Sequence, residues 1–217
     1  MINERNLKDL LYHEFARIGK SLSSPKRLEL LDLLSQGPKS VEALSKGTSM
    51  SVANVSQHLQ ILSGSRLVNY TKKGNYVIYE LADKSVSDVL ASLHNLSERQ
   101  FVEFQQIKQE FLNNKFGVDG VSLSELKERM EKGKVLLLDV RPKEEYEEAH
   151  IPGAISMPIE ELRVKLSSLP PDYDVVAYCR GPYCLLSVEA VELLKERGIH
   201  AYRLEESVHE WKQFVEN

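Results

Sequence analysis

From Ser122 onward the sequence alternates short apolar runs with helical segments, and no other feature constrains the fold as tightly. "SLSELKERMEKG" reads as a short helix, "KVLLLDVR" as a buried strand, "EEYEEAH" as a helical turn and "GAISMP" as another strand. "IEELRVKLSSL" then reads as a helix and "DVVAYC" as a third strand, followed by a helix from about Tyr183 to Arg197 and a last strand near "AYRLE". Strands alternating with helices of this size imply a parallel sheet covered on both faces, an α/β domain.

The preceding residues have a different texture, mostly helical. A helix is expected around Leu7–Lys20 and another from Ser24, with Pro25 in its first turn, to about Leu34. "QGPKS" reads as a break, and short helices follow at Ser40–Lys46 and Ser51–Leu62. "LVNYTKKGNYVIYEL" holds two strand-like runs joined at "KKGN", a β-hairpin. A long helical pattern from about Leu90 to Phe111 gives way to "NNKFGVDG", whose Asn and Gly residues form a stop and hinge. The boundary is placed near Gly117, which divides the chain into a mainly α domain with a hairpin, 1–116, and an α/β domain, 117–217. A chain of 217 residues is long enough for two cores.

Charge separates the halves as well. Residues 1–116 hold 15 Lys and Arg against 12 Asp and Glu, whereas 117–217 hold 13 against 20, so a net charge of −4 hides +3 and −7. Only the first domain suits a polyanionic partner. The first 25 residues carry Glu4, Arg5, Lys8, Asp9, Glu14 and Arg17 without a long apolar run, so neither a signal peptide nor a membrane partner is expected and the chain is expected in the cytoplasm. Two cysteines are too few for a disulfide framework, and a reducing compartment favours free thiols.

In "SMSVANVSQHLQILSGSRLV" the residues Val52, Val55, Leu59 and Leu62 recur at helical spacing and are expected to pack inward. Ser51, Asn54, Gln57 and His58 then project from the opposite face with Ser56 at the side, and all can hydrogen-bond base edges or phosphates in a major groove. The short helix "SVEALSKG", ending at Gly47, supplies the turn of a helix-turn-helix, and Lys72 and Lys73 at the hairpin tip suit a wing on a phosphate backbone. This order of elements resembles the ArsR family of winged-helix transcriptional repressors across roughly residues 5–115, most specifically at "ANVSQHLQIL" followed by "LV" and the hairpin. The resemblance implies a winged helix-turn-helix, a double-stranded DNA operator and a homodimer in which the terminal helices pair. Leu90, Leu93, Phe101, Phe104 and Phe111 are consistent with a buried helix face. Many members of the family sense metals. Here "SVEALSKG" has no cysteine, and His94, Glu98 and Glu103 do not have the spacing of a ligand set, so no metal or other cofactor is expected.

Three landmarks occur in order in the second half: "LLLDVR" with Asp139 and Arg141, "AHIPGAISMP" from His150 to Pro158, and Cys179 at the end of "VVAYC". Together they resemble the rhodanese domain over about residues 120–216, which implies a cysteine at the mouth of a loop lined by backbone N–H groups. After Cys179 the chain must curl through Arg180, Gly181, Pro182 and Tyr183 to Cys184 and enter a helix. Successive N–H groups and the helix dipole stabilise an anion there, so the Cys179 thiol is expected below its free value of about 8.5. The family loop is Cys-x-x-Gly-x-Arg. This chain instead puts Cys184 in the last place, Gly181 one position early and Arg180 directly after the nucleophile, and Glu206 and Ser207 replace the family's Gly-Gly before a Trp.

A persulfide on Cys179 attacked by Cys184 would leave a disulfide and release sulfide, and the pair could instead trap sulfur as a polysulfide bridge. Two thiolates alone leave half of a tetrahedral zinc site unfilled. His150 is expected to order its turn, and Asp139 with Arg141 to form a structural ion pair behind the loop. Three readings follow: a transcriptional regulator whose Cys179 takes up sulfane sulfur from persulfide, polysulfide or thiosulfate, or another thiol-reactive signal; a sulfurtransferase with a regulatory DNA-binding half; or an interaction module without chemistry.

Overall fold

In the computed structural model, which describes residues 4–113, 119–133, 135–166, 169 and 173–216, the chain divides into two units, Met1–Gln100 and Phe101–Asn217. Residues 114–118, where the hinge is expected, lie outside the described residues.

The first unit runs α1 (Glu4–Leu22), α2 (Pro25–Ser35), β1 (Lys39–Ser40), α3 (Val41–Thr48), α4 (Val52–Gly64), β2 (Val68–Lys73), β3 (Tyr76–Leu81) and α5 (Lys84–Gln100). Pro25 opens α2, where its missing N–H would have had no partner in any case. Ser40 caps α3, its Oγ accepting the Ala43 N–H at 3.1 Å. Leu30, Leu31 and Leu34 of α2 meet Leu44 of α3, Val55, Leu59 and Leu62 of α4, and Leu90 of α5 in one core. Burying each such side chain stabilises the fold by roughly 1.5–3 kcal/mol. The strands pair antiparallel in the order β1-β3-β2. Gly74, at φ +60°, takes the first position of the two-residue hairpin turn between Lys73 and Tyr76, a backbone state that glycine adopts without strain.

Three expectations need correction. The break at "QGPKS" contains β1, which pairs Lys39 with Tyr79 and Ser40 with Ile78. The helix α3 continues through Gly47 to Thr48 and ends at Ser49, whose φ is +54°. Gly47 lies inside the helix instead of ending it, packed so that a Cβ there would lie 3.1 Å from Leu33 Cδ1. The long helix expected over 90–111 is two helices, α5 and α6 (Val102–Asn113), parted at Phe101, whose carbonyl accepts the Phe104 N–H at 3.1 Å. Of its expected buried face, Leu90 is buried, Leu93 and Phe104 are half-buried, and Phe101 is exposed. The Phe111 side chain lies outside the described ones.

The second unit continues with β4 (Gly120–Val121), α7 (Leu123–Glu131), β5 (Val135–Asp139), α8 (Lys143–Glu148), β6 (Ile155–Ser156) and α9 (Ile159–Lys165). It ends with β7 (Asp174–Tyr178), α10 (Leu185–Glu196), β8 (Ala201–Leu204) and α11 (Val208–Glu216). The sheet is parallel in the order β4-β8-β7-β5-β6. Side chains alternate across it as the pleat requires. Val175, Ala177 and Cys179 join α9 and α10 in one core, while Val176 and Tyr178 join α7 and α11 in the other. This is the doubly covered α/β sheet that the alternating sequence implies, with β4 added at one edge. Among the described residues no helix is long and apolar enough to cross a membrane.

Candidate functional site

The helix α4 begins at its cap. Ser51 Oγ accepts the Asn54 N–H at 3.3 Å, so this side chain holds the helix start. Val55, Leu59 and Leu62 enter the core, but Val52 is 47% exposed, contrary to the expected inward face. It stands in the first turn, beyond the reach of the core that the later three enter. Asn54 and Gln57 are exposed one turn apart, and Ser56 is half-buried. His58 is also half-buried, with Nδ1 buried and, among the described residues, without a hydrogen-bond partner. Lys72 and Lys73 are both exposed in the hairpin. Lys72 pairs with Val77 and shares the face of Val68, Tyr79 and Leu81, which pack against the core, whereas Lys73 pairs with Tyr76 on the other face.

The second site lies where β7 ends. Cys179 and Cys184 are joined by a disulfide, not left as the free thiols expected from the sequence. Five positions of separation and a Cα–Cα distance of 6.2 Å put the pair within bonding reach. Cys179 is buried and Cys184 half-buried. The helix α10 starts at Leu185, two residues later than expected, with Cys184 as its N-cap residue, so the bonded sulfurs stand at its positive end. Within the loop the Cys184 N–H donates to the Gly181 carbonyl at 3.2 Å. Gly181 is buried at φ +121°, and a Cβ there would face Ser207 Cβ at 3.7 Å, which places the turn carrying Glu206 and Ser207 against the loop. Tyr183 meets Phe104 of α6 edge-on at 5.9 Å.

Two arginines at this end of the sheet are held by carboxylates, and a third is held by the loop itself. Arg180 sets Nε and Nη2 on the Glu145 carboxylate of α8, at 3.0 and 2.7 Å. Its charge is therefore matched by a buried acid. Arg141 sets the same two nitrogens on Asp139, at 2.9 and 2.6 Å, and Nη2 also donates to the Ala149 carbonyl at 2.7 Å. Burial works against the Arg141 charge, but the hydrogen bonds and the carboxylate of Asp139 more than offset it and raise the guanidinium above its ordinary value. Tyr178 OH accepts the Ile151 N–H at 3.1 Å, and burial, reinforced by the Asp139 charge, pushes this hydroxyl up. His150 stacks on Tyr146 at 3.9 Å and its Nδ1 lies 2.9 Å from the Tyr146 carbonyl, which orders the turn before the "HIPGA" run.

Arg203 is the residue that sequence reasoning missed. It sits in β8, fully buried, with Nη1 donating to the Pro182 carbonyl at 2.8 Å and with Nε and Nη2 lacking hydrogen-bond partners among the described residues. Burial lowers its pKa, against the opposing charges of Glu205 and Glu206. A cation inside the apolar run "AYRL" is the signal that could have found it. Among the described residues no group of three or more His, Cys, Asp and Glu is placed to hold a metal ion.

Residues 24–70 match the family described as bacterial regulatory protein, arsR family, and residues 122–214 match the rhodanese-like domain. The HTH-type transcriptional regulator Rv0324 of Mycobacterium tuberculosis is 36% identical over 98% of this chain and 93% of its own length. The homodimeric winged helix-turn-helix DNA-binding domain Mb0332 of Mycobacterium bovis is 31% identical, covering 48% of this chain and 95% of that one with a TM-score of 0.44. A rhodanese-related protein of Thermoplasma volcanium is 27% identical, covering 44% of this chain and 91% of that one with a TM-score of 0.39.

Proposed function

Because the chain belongs to the arsR-family transcriptional regulators that carry a C-terminal rhodanese-like domain, we propose that it is a regulator whose operator affinity is set by sulfane sulfur arriving at Cys179. The observation that carries this reading is the bond between Cys179 and Cys184 at the start of α10. In the dithiol form the Cys179 thiolate attacks the outer sulfur of a persulfide or polysulfide, forming Cys179–S–SH and releasing the donor as a thiolate. Cys184 then attacks Cys179 Sγ, the protein disulfide forms, and HS⁻ leaves. Two thiols lose two electrons and the sulfane sulfur gains them.

On the DNA side, Asn54 and Gln57 are the exposed polar groups of α4 that suit base edges. Ser51 fixes the helix start, and Ser56 and His58 stand at its margin. Lys72 and Lys73 approach phosphates from opposite faces of the wing. A second copy of the chain fits the apolar side of α1, where Leu7, Leu11, Phe15 and Ile18 recur at helical spacing and are exposed. The contact of Tyr183 with Phe104 supports a path from the loop to α6, which follows α5 after one residue. Such a protein works in the cytoplasm, where its operator is.

The test is mass spectrometry of the reduced full chain after polysulfide treatment. Wild type is expected to give the disulfide with release of sulfide, and Cys184→Ser a stable persulfide on Cys179. Modification at neither cysteine refutes the reading. Sustained turnover of thiosulfate with cyanide would instead favour a sulfurtransferase.

A further inference from the structure

The two ends of the Cys179–Cys184 bond are unequal. Cys179 is 1% exposed over the whole residue and shares a core with Val140 and with Val188, Ala190 and Val191 of α10. Cys184 is half-buried, and Leu185 directly after it is 67% exposed, so this end of the bond is the one near the surface. The Cys184 backbone is pinned on both sides: its N–H donates to the Gly181 carbonyl at 3.2 Å, and its carbonyl accepts the Ser187 hydroxyl at 3.0 Å. A thiolate opens a disulfide by attacking one of the two sulfurs, and access decides which. Cys179 offers no approach, so attack falls on Cys184 Sγ and Cys179 Sγ departs. Its departure is assisted, because the first N–H groups of α10 have no partner inside the helix and its positive end stands at the bonded pair. A sulfur stabilised as an anion is the faster leaving group.

We infer that the protein is reset through Cys184, by a thiol reductant that forms its mixed disulfide there and frees Cys179 first. The reductant thiolate bonds to Cys184 Sγ, the bond between the two cysteines breaks, and its electron pair leaves on Cys179 Sγ. A second thiolate, from the same dithiol or from another molecule of reductant, then attacks the sulfur of the first and releases Cys184 as a thiolate. The cysteine pair gains two electrons, and two reductant thiols lose them as a disulfide. The cysteine that takes up sulfur is thus restored before the one that resolves it. With closure driven by sulfane sulfur and opening by thiol, the operator state follows the ratio of the two. The inference rests on the reading that sulfane sulfur closes the bond, and it adds the sulfur at which the bond is reopened and the class of molecule that reopens it.

Trypsin cleaves after Arg180, so the two cysteines fall on separate peptides, 166–180 and 181–195. The wild-type full chain in its disulfide form is mixed with reduced glutathione, quenched early with acid and N-ethylmaleimide, digested and read by mass spectrometry. Glutathione is expected on the Cys184 peptide and maleimide on the Cys179 peptide, with Cys184 favoured by about tenfold or more because the exchange rate follows access to the attacked sulfur. In a second arm a reduced thioredoxin-type protein, its resolving cysteine replaced by serine, is expected to be captured on Cys184. Capture of both probes there supports a reset open to any thiol, and capture of the protein alone supports a reset by protein dithiols. Either probe found on Cys179 as much as on Cys184, or a bond that neither probe opens, overturns the inference. Polysulfide loading of the reduced chain is measured beside it. Loading together with adducts on Cys179 defeats this inference alone, whereas adducts on Cys184 in a chain that polysulfide does not modify defeat the reading beneath it.

Discussion

Asp139→Asn removes a charge at a fully enclosed ion pair of the second unit, where Asp139 is 0% and Arg141 1% exposed at the side chain. The substitution keeps the shape of the residue but turns an acceptor into an amide that cannot balance a guanidinium. Arg141 cannot escape by losing its proton, since its charge persists at any working pH. It would keep its hydrogen bond to the Ala149 carbonyl and lose the carboxylate that offsets burial. Breaking one side of such a pair costs about 3–5 kcal/mol. At a urea dependence of about 2 kcal/mol per molar for a domain of this size, the unfolding midpoint should fall by roughly 2 M. Trp211, the chain's single tryptophan, lies in α11 against the core that contains Leu137 and Tyr178, so its fluorescence reports this unit and not the first. The double variant Asp139→Leu, Arg141→Met should recover most of the loss, as paired apolar replacements of buried ions usually do. A midpoint shift below about 0.5 M for Asp139→Asn, corresponding to roughly 1 kcal/mol, would refute the claim that this pair holds the strand end behind the loop.

On the DNA side, Asn54→Ala and Gln57→Ala should each weaken binding to the operator but not to unrelated duplex, by on the order of 1–3 kcal/mol in anisotropy titrations. Lys72→Ala and Lys73→Ala should lower affinity for every sequence and flatten the salt dependence, and unequally, because the two lysines face opposite sides of the hairpin. Gly47→Val places a branched side chain where even a Cβ lies 3.1 Å from Leu33 Cδ1, and Leu33 is itself buried in the core, so thermal unfolding by circular dichroism should show a loss of about 1–3 kcal/mol. The hydrogen bond from Lys143, then that from Lys165, draws the Glu161 carboxyl from 4.5 down to about 2. A depressed carboxylate stabilises the fold above about pH 4.5 and loses that effect as pH falls through about 2, which a ¹³C titration of the Glu161 carboxyl checks.

The parallel sheet was legible because β5, β7 and β8 are apolar runs separated by helical segments, and that period survives in one sequence. The strands β1 and β4 are two residues each, too short to show any period. The break at Phe101 was hidden because apolar residues at helical spacing continue on both sides of it. Both cysteines and the polar residues of α4 were visible as types in a pattern. Their states were not: the bond depends on a 6.2 Å Cα separation, and the Ser51 hydroxyl is turned to its own helix. The pairing of Arg180 with Glu145 spans 35 positions, and the reach of Arg203 to Pro182 spans 21. Tertiary contacts of that span leave no mark in local sequence.

Operator affinity of the full chain, measured in its dithiol form and again after polysulfide treatment, tests the central claim most directly. A change of roughly 5- to 30-fold is predicted, in the range of ordinary allosteric coupling. It should be reversed by reductant and absent from Cys179→Ser. The same change in Cys179→Ser, or a wild-type chain that loads sulfur with its DNA affinity unaltered, would contradict the account.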